Sequence, residues 1–119
     1  MLLVTNYSCN NSSGSDHPPV RVYFWKNSDA ATNHQLYIDD SIKGVLPYLP
    51  DSVRPLTDTV LKQTALHYLK PGRYDLTARD SSGNVLCKGM LSIKIGRGST
   101  SVKTDWDNSR CHVHVVFVN

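Results

Sequence analysis

Glutamate is absent from the 119 residues, while aspartate occurs ten times. Glutamate is a good helix former and aspartate a poor one, so this absence argues against a helix-rich protein. No internal apolar run approaches the roughly 20 residues of a membrane-spanning helix. An excess of one charge is missing too. Thirteen Lys and Arg against ten acidic residues leave +3, spread along the chain. Such a distribution offers no phosphate-tracking stripe, so a nucleic-acid partner is not expected. The sequence also lacks a Ser in a G-x-S-x-G elbow, a phosphate loop and a dinucleotide fingerprint. Gly96-Arg97-Gly98 is too short to cradle a phosphate and reads as a turn. Neither an enzyme nor a cofactor is expected.

What is present fits one domain. A hydrophobic content of 39% in 119 residues supports one core and no second. Residues 1–19 read differently from residues 20–119. Met1 to Val4 are apolar, and Cys9 is followed by Asn10-Asn11-Ser12-Ser13-Gly14-Ser15-Asp16-His17-Pro18-Pro19. That polar stretch cannot bury enough surface to order itself. An apolar stub, a small residue, a cysteine and a polar tether resemble the end of a bacterial lipoprotein signal peptide. The resemblance implies that Cys9 carries lipid and that the protein sits at the bacterial cell envelope, periplasmic or at the surface. The stub departs from the pattern: it is about half the usual core of roughly 7–15 residues, no basic residue precedes it, and Asn6 stands where an aliphatic residue is preferred. The competing reading is a polar tail with an incidental cysteine in a cytoplasmic protein.

From Val20 the periodicity is two. Val20, Val22 and Phe24 alternate with Arg21, Tyr23 and Trp25, which predicts a half-buried strand. Leu36 and Ile38 oppose Tyr37 in a second strand, and residues 44–50 form a proline-broken connection. Residues 51–70 fit either a short helix capped at Asp58 or an irregular or single-turn stretch followed by a strand from about residue 64 to 69; the second is favoured. Tyr74, Leu76 and Ala78 alternate next, then Asp80-Ser81-Ser82-Gly83-Asn84 supplies a hairpin turn. Val85, Cys87, Gly89, Leu91, Ile93 and Ile95 share one face, and Val102, Thr104 and Trp106 follow after a turn. Cys111, Val113, Val115 and Phe117 end the chain opposite His112 and His114. About seven short strands with turns between them predict an all-β, single antiparallel β-sandwich.

Leu69-Lys70-Pro71-Gly72-Arg73-Tyr74-Asp75-Leu76-Thr77-Ala78-Arg79-Asp80, followed by Gly83-Asn84-Val85, resembles the prealbumin-like sandwiches, among them the carboxypeptidase regulatory-like, Cna-B-type and PEGA domains. Tyr37-Ile38-Asp39-Asp40 before Gly44-Val45-Leu46-Pro47 is similar to the PEGA pattern. The resemblance spans about half the chain, and the overall layout resembles small envelope lipoproteins of Bacteroidetes. It implies an accessory or adhesive module whose partner is an envelope protein or a glycan, not a particular chemistry.

Several constellations remain. Cys87 and Cys111 fall on the inward parity of their strands, where a disulfide can form. With Cys9 lipidated, three cysteines resolve into one anchor and one bridge; the alternative is two inert thiols in a reducing compartment. Tyr23, Trp25 and Tyr37 share the outward parity, which predicts an exposed platform for a sugar or a protein, unless the Pro-rich connection covers them. A carbohydrate-binding module is thus a second expectation. His112-x-His114 sets two imidazoles on one strand face, a partial metal site that predicts a metal carrier if two further ligands converge. Asp40-Ser41-Ile42, Asp51-Ser52-Val53 and Asp58-Thr59-Val60 resemble the O-glycosylation signal of Bacteroidetes envelope proteins, which implies glycans on Ser41, Ser52 and Thr59.

Overall fold

The computed structural model describes residues 19–50, 57–96 and 99–117. Its elements are β1 (Val20–Lys26), β2 (His34–Ile38), β3 (Ser41–Val45), α1 (Asp58–Leu61), β4 (Ala65–Leu69), β5 (Gly72–Asp80), β6 (Val85–Gly96), β7 (Ser99–Trp106) and β8 (Cys111–Val116). Two antiparallel sheets pack face to face, one ordered β4-β1-β8 and the other β3-β2-β5-β6-β7. The fold is the expected small β-sandwich, with β3 added to the strands read from periodicity.

The alternation in β1, β2 and β5 decides what lies between the sheets. Val22 and Phe24 from one sheet meet Leu36, Ile38, Leu76, Ala78, Leu91 and Ile93 from the other. Each large side chain withdrawn there contributes roughly 1.5–3 kcal/mol. β3 escapes the periodicity because it is an edge strand. Ser41, Ile42, Lys43 and Val45 are all exposed, so no inward face marks it in the sequence. Asp39 and Asp40, with φ of 52° and 65°, form the two-residue turn that leads into it.

Local chemistry ends the strands where they must end. Asp80 Oδ1 accepts hydrogen bonds from the backbone N–H of Ser82 and Asn84, both at 2.9 Å. Those bonds hold the β5–β6 hairpin and keep the Asp80 carboxyl below its ordinary value. The Pro-Gly-x-Tyr pattern also has a physical basis: Tyr74 donates its hydroxyl hydrogen to the Lys70 carbonyl at 2.5 Å. Inward parity fails at the start of β6. A register shift after Ala78 leaves Val85 exposed and buries Leu86 and Cys87 in succession.

Gly89 sits where β6 is flanked by β5 and β7, opposite Trp106. A Cβ there would lie 2.4 Å from the Asp105 carbonyl oxygen and 2.8 Å from Trp106 Cα. The Gly89→Ala variant should therefore lose about 2 kcal/mol or more of unfolding free energy in urea titration. A loss under about 0.5 kcal/mol would show that β7 yields at no cost.

Candidate functional site

β1 leaves the core at Lys26, and this residue organises one end of the sandwich. By parity its side chain points inward, and it is 2% exposed. The ammonium donates to the carbonyls of Asp29 and Thr32 at 2.9 and 2.5 Å, and reaches His34 Nδ1 at 2.6 Å. An ammonium offers three donors and no acceptor, so Nδ1 accepts and the ring proton resides on Nε2. That nitrogen lies 4.0 Å from Asp29 Oδ2. Lys26 belongs to the three-stranded sheet and His34 to the five-stranded one, so the bond joins the two sheets. Its backbone ties the β3–β4 connection to β1: its N–H donates to Pro47 O and its carbonyl accepts from Leu49 N–H, both at 2.8 Å.

Burial lowers the pKa of Lys26, which the Asp29 charge partly offsets. His34 is lowered first by burial and then by the Lys26 charge, against the opposing pull of Asp29 and Asp80. The sequence carried a signal for this pair, since a lysine and a histidine at inward parity near strand ends need partners. Composition and motif reading passed over it.

Cys111 is paired with Lys26 in the β1–β8 ladder, and from there it bridges to Cys87 across the core. The disulfide has an S–S distance of 2.07 Å and a Cα separation of 6.3 Å. Both cysteines are buried. The inward parity of two strands in different sheets brings them together, as expected.

The expected aromatic platform is not formed. Tyr23 and Trp25 lie on the outer face of the three-stranded sheet, whereas Tyr37 lies on the outer face of the five-stranded one. One parity on two sheets means opposite sides of the molecule. Tyr23 and Trp25 are moreover only 8% and 7% exposed, packed under Leu49, Leu61 and Val60. The connection from β3 to β4 thus covers them. Tyr37 has the Arg79 guanidinium 4.6 Å above its ring, and Arg79 pairs with Asp40 at 3.5 Å.

His112 and His114 do share a face, opposite Trp25 and Tyr23 in the ladder. The first stacks on Trp25 with ring centroids 5.4 Å apart, and its Nε2 accepts from Asn27 Nδ2 at 2.7 Å. The second tilts against Tyr23 at 6.3 Å. Among the described residues no three His, Cys, Asp or Glu side chains converge on a metal position. The further ligands that the metal-carrier expectation needed do not come together, because the covered outer face is aromatic and aliphatic.

Ser41 opens β3 and Thr59 lies in α1, both exposed. Cys9 and Ser52, with most of the expected tether, lie outside the described residues. α1 is a single turn capped by Thr57, whose hydroxyl accepts from Val60 N–H at 3.4 Å, and not by Asp58. Beneath it runs a cleft of 370 Å³, lined by Arg21, Tyr23, Asp58, Leu61, Lys62, Thr64 and Leu66. Sequence reasoning missed this cleft because it exists only where α1 packs over the outer face of β1.

No family model, curated protein or solved structure matches this chain.

The histidines set an acid limit on stability. His34 and His67 both titrate below the ordinary value of 6.5 in the folded chain, the latter through burial and the neighbouring Lys43 charge. The unfolded chain therefore takes up protons first as pH falls. Their contribution is intact above 6.5 and is lost below it. Urea midpoints should drop between about pH 7.5 and about pH 5.5, and a His34→Asn, His67→Gln variant should show a flatter profile. Equal slopes for both proteins would refute the assignment.

Proposed function

We propose that the chain is a non-catalytic β-sandwich binding module, held at a bacterial envelope by lipid on Cys9. The observation that carries this reading is the buried Cys87–Cys111 disulfide. Disulfides persist in oxidising compartments, and a reducing cytoplasm keeps such thiols apart. Pairing these two leaves Cys9 as the odd cysteine, at the head of a polar tether that resembles a processed lipoprotein. The resemblance of residues 69–80 to the prealbumin-like sandwiches supports an accessory or adhesive role, with an envelope protein or glycan as partner. Exposure of Ser41 and Thr59 is compatible with O-glycosylation of the same surface.

Intact mass of the protein purified from its native host tests the reading. Cys87 and Cys111 should resist alkylation until a reductant is added, and Cys9 should carry a diacylglyceryl increment. Alkylation of Cys87 and Cys111 without reductant would overturn the oxidising compartment. Partition into the aqueous phase with an unmodified Cys9 would overturn the anchor. The bridge spans 24 residues of sequence, so the double Cys→Ala variant should lose roughly 3 kcal/mol.

A further inference from the structure

The cleft under α1 is walled on two sides by different chemistry. Its floor is the outer face of the three-stranded sheet, with Arg21 and Tyr23 from β1 and Leu66 from β4. Its wall is Asp58, Leu61, Lys62 and Thr64. At 370 Å³ it is at the small end of the range of about 300–1,000 Å³ for ligand pockets.

The charges in it are unbalanced. Among the described residues Arg21 and Lys62 form no ion pair, and Asp58 alone opposes them. Arg21 Nε is shielded from water and has no hydrogen-bond partner. That nitrogen is closed to any oxygen of water's size, so what the cleft offers a ligand is the guanidinium's uncompensated charge, which a carboxylate neutralises. Two of the remaining polar groups ask for donors. Thr64 Oγ1 already gives its hydrogen to Leu61 O at 2.7 Å and so only accepts, as does the Asp58 carboxylate. Leu61 and Leu66 supply apolar surface. Tyr68, 63% exposed, stands directly across the ladder from Arg21 and offers a ring at the rim.

We propose that this cleft binds a small hydroxylated carboxylate of the sugar-acid class. The carboxylate faces Arg21 and Lys62, the hydroxyls donate to Asp58 and Thr64, and the ring's apolar face lies on Leu66 toward Tyr68. The assignment rests on the reading of the chain as a binding module, and is independent of the lipid on Cys9.

Titration of the full chain, without lipid, by amide NMR with D-glucuronate, D-glucose and D-glucosamine tests it. Glucuronate should shift the amides of Tyr23, Lys62, Thr64 and Leu66, and bind at least about tenfold more tightly than the neutral or cationic sugar. Arg21→Gln and, separately, Lys62→Gln should each weaken it severalfold, and Asp58→Asn should not restore the loss. Lys62 is exposed, so its variant keeps the fold if the Arg21 variant does not. Equal responses to the three sugars, shifts confined to other surfaces, or unchanged glucuronate binding in the Lys62 variant would overturn the proposal. Such a failure leaves the mass measurement of Cys9 and the disulfide untouched, so the two readings fail separately.

Discussion

The architecture at one end of this sandwich depends on the three hydrogen bonds of the buried Lys26 ammonium. An ammonium removed from water must have every N–H satisfied or the burial is prohibitive. Two carbonyls of the 27–33 connection and one imidazole nitrogen do this, which fixes the connection and draws β2 toward β1. The same residue's peptide groups hold Pro47 and Leu49. Leu49, so anchored, packs with Leu61 of α1 on Tyr23 and Trp25, and the cleft lies beneath α1. One residue, by its side chain and its peptide groups together, thereby links the inner closure of the sandwich to the covered outer face.

The disulfide works beside this cluster. Lys26 and Cys111 are ladder partners, so the covalent and the hydrogen-bonded cross-sheet ties spring from neighbouring positions of one sheet. Asn27 adds a third tie, donating to Ser109 O at 3.0 Å. Asn108 and Asp107 bind the same turn back to β6 through Leu86 O and Lys88 N–H. The disulfide and the Lys26–His34 bond differ in what weakens them. Reductant acts on one, and protonation of His34 acts on the other.

Much of the fold was legible because one physical rule, inward apolar residues at every second position, holds through β1, β2, β5 and β8. It placed Phe24, Leu36, Leu76 and Cys111 in the core. Legibility ended where that rule has no purchase. β3 has no buried face to alternate. Val85 was misplaced because the register shift after Ala78 inserts a residue that periodicity cannot register. Lys26 and His34 obey the inward parity, yet their chemistry comes from meeting each other, which no local pattern encodes. The cleft is less legible still, since Arg21 and Lys62 are separated by the whole of two strands and their connections.

The sequence alone determined the in-or-out disposition of most side chains, because strand geometry has a period of two whatever the topology. It therefore determined the sandwich, and the inward placement of Cys87 and Cys111. Only the tertiary structure decided which sheet each strand joined and what lay over its outer face. Those choices turned equal parity into a disulfide for the cysteines, and into opposite sides of the molecule for Tyr23 and Tyr37. The reason is that parity is a property of one strand, whereas proximity is set by the connections that carry the chain from sheet to sheet.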